Sequence, residues 1–91
     1  MIFEWDEAKE ARNVRQRGLD FGTAAGMFSG PVMTWQDTRR DYGEVRVVAL
    51  GEVEGRILVV VYTDRGDTRR IISAQPAKRK ERELWQLFAK P

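Results

Sequence analysis

Glu44-Val45-Arg46-Val47-Val48-Ala49-Leu50-Gly51-Glu52-Val53, then Glu54-Gly55, then Arg56-Ile57-Leu58-Val59-Val60-Val61-Tyr62-Thr63-Asp64, then Arg65-Gly66-Asp67 and Thr68-Arg69-Arg70-Ile71-Ile72-Ser73-Ala74, are the residues on which the fold turns. Glu44–Val53 and Arg56–Asp64 are β-branched runs of strand length, and Glu54-Gly55 between them is a short hairpin signal. Arg65-Gly66-Asp67 supplies the next turn and Thr68–Ala74 the next strand. Upstream, Val32–Gln36 reads as a first strand, followed by a charged turn over Asp37–Gly43. Such closely spaced runs predict a meander of four consecutive antiparallel strands.

Outward from the sheet the period becomes helical. Toward the N-terminus, Gly30-Pro31 stops a short helix whose cap is Asp20 and whose buried face is Phe21, Ala24, Ala25 and Phe28. Before it, Asp6 caps a helix that runs to about Gly18. Glu7 and Glu10 lie early and Arg15 and Arg17 late, as the helix dipole favours. Its apolar stripe is thin (Ala8, Ala11, Val14), which suits a surface helix, and Ile2-Phe3-Glu4 is a short extended start. Toward the C-terminus, Gln75–Lys90 reads as a helix capped by Ser73 or Gln75, with Pro76 in its first turn and Ala77, Leu84 and Phe88 on one stripe. The expected architecture is α+β: two N-terminal helices, a four-stranded antiparallel meander and a C-terminal helix. Its 91 residues suit one domain spanning 1–91.

Composition narrows the chemistry. The longest apolar run, Ile57–Tyr62, is far too short to cross a membrane, no secretory signal is evident, and cysteine is absent, so a cytoplasmic protein without disulfides is expected. Histidine is absent too. An imidazole acid–base pair and a histidine metal site are therefore excluded, and catalysis would rest on Arg, Lys, Glu, Asp, Tyr or Ser, or on a metal held by carboxylates. Charge is uneven: residues 1–55 carry seven basic and ten acidic side chains, residues 56–91 nine and four. A basic half is the footprint of a polyanion partner, or simply a solvated face.

Three constellations carry candidate chemistry. Strand alternation puts Glu44 and Arg46 on one face with Val48 and Leu50, either as a rim ion pair or as a functional one. Tyr62, Arg65, Arg69 and Arg70 crowd the last hairpin, where planar guanidiniums can clamp a phosphate. A slip of one residue in that turn decides whether Arg69 or Arg70 shares the face of Tyr62, and the sequence leaves this open. Glu81 falls on the stripe expected to face the sheet, as a salt-bridge partner for a strand arginine or as a catalytic carboxylate. Trp5 and Trp35 are base-stacking candidates or core and partner contacts, and Lys9, Arg12, Arg15 and Arg17 form a basic helix face.

Read in order, Phe3-Glu4-Trp5-Asp6, Lys9, Asn13, Gly18, Phe21, Ala24 and Phe28, then Glu44-Val45-Arg46 with Gly51, then Val60-Val61-Tyr62-Thr63-Asp64-Arg65-Gly66, Arg70-Ile71-Ile72-Ser73-Ala74 and a basic helix with Glu81, resemble the BrnT family of toxins. The resemblance implies a RelE-like fold, an RNA-cleaving toxin that inhibits translation, and a BrnA-type antitoxin that covers the toxin and binds operator DNA, so that DNA is met only through the antitoxin. It implies an endoribonuclease using attack of the ribose 2′-hydroxyl on the adjacent phosphate, without metal or cofactor. Glu44 would be the base, and Arg46, Arg65 and Arg70 would hold the phosphate. Lys9, Arg15, Arg17, Tyr62, Arg69 and Lys78 would contact RNA. Two departures stand out: the family's Lys-His before the glycine ending the first helix is Gln16-Arg17 here, and its Arg after Ile-Ser-Ala is Gln75, followed by Pro76. The competing expectations are a toxin-fold module that binds an antitoxin without cleaving RNA, and a domain whose basic C-terminal helix only contacts phosphates.

Overall fold

The computed structural model describes residues 1–89. In chain order the elements are β1 (Ile2–Trp5), α1 (Glu7–Arg17), α2 (Phe21–Ala25) running into a 3-10 turn (Gly26–Ser29), β2 (Val32–Gln36), β3 (Val47–Val53), β4 (Arg56–Arg65), β5 (Thr68–Pro76) and α3 (Arg79–Ala89). Strands β2 to β5 form the expected antiparallel meander, and Glu54 and Gly55 both take positive φ in the tight turn between β3 and β4. The sheet, however, has five strands and is mixed, in the order β1-β5-β4-β3-β2. The extended start is a strand parallel to β5, with Ile2 opposite Thr68 and Trp5 opposite Ile71. Alternation drives this pairing: Phe3 and Trp5 pack on the same apolar core as Ile71.

The two faces of the sheet are covered differently. On one, Leu19, Phe21, Ala24 and Met27 from the helical layer meet Ala49, Leu58, Val60, Tyr62, Ile71 and Ala74. Gly51 is part of that fit, since a Cβ there would stand 2.6 Å from Met27 Cγ. On the other face Val48, Leu50 and Val59 pack against Ala77 and Trp85, with Met33, Ile57 and Val61 partly buried around them. The last helix thus turns Trp85 inward, whereas Leu84 and Phe88 of the expected stripe remain 38% and 43% exposed.

That helix also starts later than the sequence suggests. Gln75 and Pro76 continue β5, opposite Val59 and Leu58 of β4. Pro76 is tolerated because β1 stops at Trp5↔Ile71, so β5 is a sheet edge from there on and needs no donor on its outer side. The cap is made instead by Glu81, whose Oε1 accepts the Lys78 N–H at 2.7 Å, one half of a capping box. The strand arginine expected to pair with Glu81 is not its partner, and among the described residues Glu81 forms no ion pair.

Helix α1 begins and ends as read: Asp6 accepts the Lys9 N–H at 3.0 Å, and Gly18 closes it in the left-handed region. Its Ala8, Ala11 and Val14 stripe stays exposed, and the residue it buries is Asn13. The Asn13 amide donates to Leu19 O (2.8 Å) and Ala74 O (2.9 Å) and accepts the Ala74 N–H (3.4 Å). It satisfies both backbone groups of the edge residue Ala74, as a neighbouring strand would, on the stretch of β5 beyond the end of β1.

Candidate active site on the open face of the sheet

The side of each candidate residue follows from one irregularity. Val61 pairs with Ser73 but Tyr62 pairs with Ile71, so Ile72 is an extra residue, a β-bulge in β5. Beyond it Thr63 faces Arg70, Asp64 faces Arg69 and Arg65 faces Thr68. Arg69 therefore lies with Tyr62 on the helical side, and Arg70 lies with Thr63 and Arg65 on the side of α3.

The structure thereby divides the hairpin cluster. Tyr62 is 5% exposed; its ring stacks edge-on against Phe28 and carries the Arg69 guanidinium at 4.1 Å. Arg69 also makes two hydrogen bonds to Asp64, which raise its pKa, and burial raises that of Tyr62. Both side chains are engaged in packing. Arg65 and Arg70 stand across the sheet from them.

On the α3 side, Glu44 joins two arginines. Its Oε2 accepts from Arg46 Nε and its Oε1 from Arg65 Nη2, each at 3.3 Å. The bond from Arg65 and then that from Arg46 hold the Glu44 carboxyl below the usual glutamate range, against the opposing effect of desolvation. Arg70 pairs with Glu4 of β1 at 3.6 Å. The strand expected from Glu44 begins only at Val47, and Glu44 and Arg46 lie in the segment that leads into β3. Their ion pairs nonetheless set them on the face that carries Arg65 and Arg70.

Two residues that sequence reasoning passed over brace this cluster. Asp37 is almost fully buried and accepts from Arg39 Nε and Nη2 and from Tyr42 Oη at 2.8–2.9 Å; these bonds, led by Arg39, hold its carboxyl far below the usual range. The Tyr42 ring in turn carries the Arg46 guanidinium at 4.2 Å. The signal was an aromatic and an aspartate within a segment read as a charged turn.

Beside the cluster lies a groove of about 420 Å³ on the same face. Arg17 at the end of α1 reaches it past the edge of β5 and donates to Gln75 Oε1. The two departures from the resembled pattern therefore meet, through Arg17 of one and Gln75 of the other. Glu81 lines the groove as well, and Trp35, 38% exposed, stands at its β2 end. Trp5 packs edge-on against Phe21 in the core. Lys9, Arg15 and Lys78 are exposed, the first two along α1 and the third ahead of α3. Among the described residues no three Asp or Glu side chains converge as a metal site, and no helix is long and apolar enough to cross a membrane.

Comparison with known proteins agrees with the order of these residues. A family model described as the ribonuclease toxin BrnT of type II toxin–antitoxin systems matches residues 5–81, from Trp5 at the end of β1 to Glu81 in α3. No curated protein matches the chain. The match takes in the whole antiparallel sheet, the Glu44 cluster and the groove, and the chain belongs to the BrnT family of type II toxin–antitoxin ribonuclease toxins.

Proposed function

We propose that this toxin is an endoribonuclease that cuts RNA by internal phosphodiester transfer at the Glu44, Arg46, Arg65 and Arg70 cluster. The observation that carries the reading is three guanidiniums on a single open face of the sheet, two of them held by Glu44 and the third by Glu4. Guanidinium forks suit the oxygens of a phosphate and the charge that grows on them in the transition state. The ribose 2′-oxygen attacks the adjacent phosphorus, its proton passes to Glu44, and the bond to the 5′-oxygen breaks as that oxygen takes a proton from water. The products are a 2′,3′-cyclic phosphate and a 5′-hydroxyl. Cleavage of cellular RNA would inhibit translation, and a BrnA-type antitoxin in the same cytoplasm would cover the toxin. Arg17 and Lys78, with Lys9 and Arg15 further out, would follow the backbone of the substrate.

Free Glu44 is a weak base because two arginines hold its charge. A bound phosphate competes for those same N–H groups, releasing the carboxylate and raising its pKa. The acid limb of kcat/KM, which reports the free enzyme, should therefore lie below the ordinary glutamate value of about 4.3. That of kcat, which reports the complex, should lie at higher pH. Coincident limbs in a pH–rate study with a short RNA would remove Glu44 as the base.

The direct test is induction of the gene alone and with a BrnA-type antitoxin, with the RNA termini analysed. Growth arrest, cyclic-phosphate ends and relief by the antitoxin are expected. Normal growth with soluble, folded protein would instead support a module that binds its partner without cleaving RNA.

A further inference from the structure

We propose that the groove beside the arginine cluster is a nucleobase subsite selective for guanine, with Glu81 as the residue that reads the base. The register defines its floor as one row across four strands: Trp35 opposite Val48, Val48 opposite Val61, Val61 opposite Ser73. Neighbouring strands lie about 4.8 Å apart, so the row is roughly 14 Å long. Its volume, about 420 Å³, lies in the range of small-ligand sites. The middle of the row is flat and apolar, suited to the face of a base. At one end stands Trp35, a partly exposed aromatic surface on an edge strand that no packing requirement of the core explains. Gln36, Thr38 and Arg39 flank Trp35, and a second polar group, Arg17, Gln75 and Glu81, stands at the β5 end.

The polar groups at the β5 end have a defined hydrogen-bonding sense. Arg17 can only donate, so Gln75 turns its oxygen to Arg17 and keeps its NH₂ as a donor. Glu81 spends one lone pair of Oε1 on the Lys78 N–H and retains the rest, including both on Oε2. The groove is thus lined by both a carboxylate acceptor and an amide donor. Guanine is the base whose Watson–Crick edge presents two adjacent donors, N1–H and N2–H₂, beside an acceptor, O6. Adenine and cytosine present one amino group next to a ring nitrogen acceptor, which would face the second carboxylate oxygen, and uracil presents a single N–H between two carbonyls. Arg46 lies two residues from Val48 along the chain, so a base on this floor sets its phosphate toward the cluster.

The consequence for cleavage rests on the ribonuclease reading, whereas the binding itself does not. The test is an NMR titration of the full chain with each of the four nucleoside 3′-monophosphates, paired with mapping of cut sites in a mixed-sequence RNA. Guanosine 3′-monophosphate is expected to bind at least tenfold more tightly than the other three and to shift the Trp35 indole resonance. Glu81→Gln keeps a side chain competent to cap α3, so the fold should persist while that preference falls to within about threefold. Trp35→Ala should weaken all four ligands by roughly 5- to 150-fold, the range for one lost base stack. Equal affinities, an unshifted Trp35 indole, or a preference unchanged by Glu81→Gln would overturn the assignment. RNA cutting without any guanine preference would overturn the subsite and leave the ribonuclease standing. Guanine-selective binding with no cutting would do the reverse.

Discussion

Asn13→Asp is expected to lower the stability of the fold by about 3–5 kcal/mol at neutral pH, a large share of the roughly 5–13 kcal/mol that a chain of this size commands. The substitution alters one group of a side chain and almost none of its volume. In the native protein the Asn13 amide donates to two carbonyls, Leu19 O and Ala74 O. A carboxylate at the same buried place turns an acceptor toward both and adds a charge without a partner. Asn13→Ala, which only empties the site, should cost less, about 1–3 kcal/mol for the groups it leaves unsatisfied.

The pH dependence separates the two variants. Burial beside two carbonyls raises the pKa of the introduced carboxyl in the folded state above its unfolded value, so the folded state binds more protons as pH falls. The gap between Asn13→Asp and wild type should therefore narrow on going from neutral pH toward pH 4, whereas that of Asn13→Ala stays flat. Urea unfolding at several pH values measures both. A gap below 1 kcal/mol for Asn13→Asp would mean that the amide does not hold α1 to the edge of β5.

Asn13 also marks the boundary of what the sequence makes legible. The antiparallel meander announces itself through β-branched runs broken by glycine turns, and the caps Asp6, Gly18 and Asp20 through residue type alone. A parallel strand of four residues has no such punctuation, and Ile2–Trp5 acquires its partner only once the far end of the chain has folded. Asn13 sits among exposed neighbours, so no periodicity reveals that it is buried. Ser73-Ala74-Gln75-Pro76 satisfies the chemistry of a helix start as well as that of an edge strand, and only pairing with β4 decides between them.

The candidate site was legible as residue types and illegible as geometry for a related reason. Arginines near a hairpin suggest a phosphate clamp, but strand alternation makes the face of each depend on a single residue of register. Nothing in Arg69-Arg70-Ile71-Ile72 signals that Ile72 is the bulge. Asp37 and Tyr42 escaped notice because a loop has no period from which burial can be read, although the buried carboxylate of Asp37 braces the ring under Arg46.

Because strand alternation sends adjacent arginines to opposite faces, and the bulge decides which of them joins the Glu44 face, Arg70→Ala and Arg69→Ala should have opposite consequences. Arg70→Ala is expected to lower kcat for RNA cleavage by about 10²–10³-fold, the usual effect of removing one preorganised transition-state donor. It should leave stability almost unchanged, since its partly exposed pair with Glu4 at 3.6 Å contributes little. Arg69→Ala removes the same charge from the neighbouring residue. There the loss is structural: the guanidinium packs over Tyr62 and Phe28 and is fixed by Asp64, so unfolding should come at lower urea while cleavage by the folded protein stays within about fivefold of wild type. Cleavage measured where circular dichroism shows both variants folded separates the two effects. A loss confined to Arg69→Ala would place the reaction on the helical face and remove the Glu44 cluster as its site. Equal losses would mean that net charge, and not position on the sheet, governs how this toxin holds RNA.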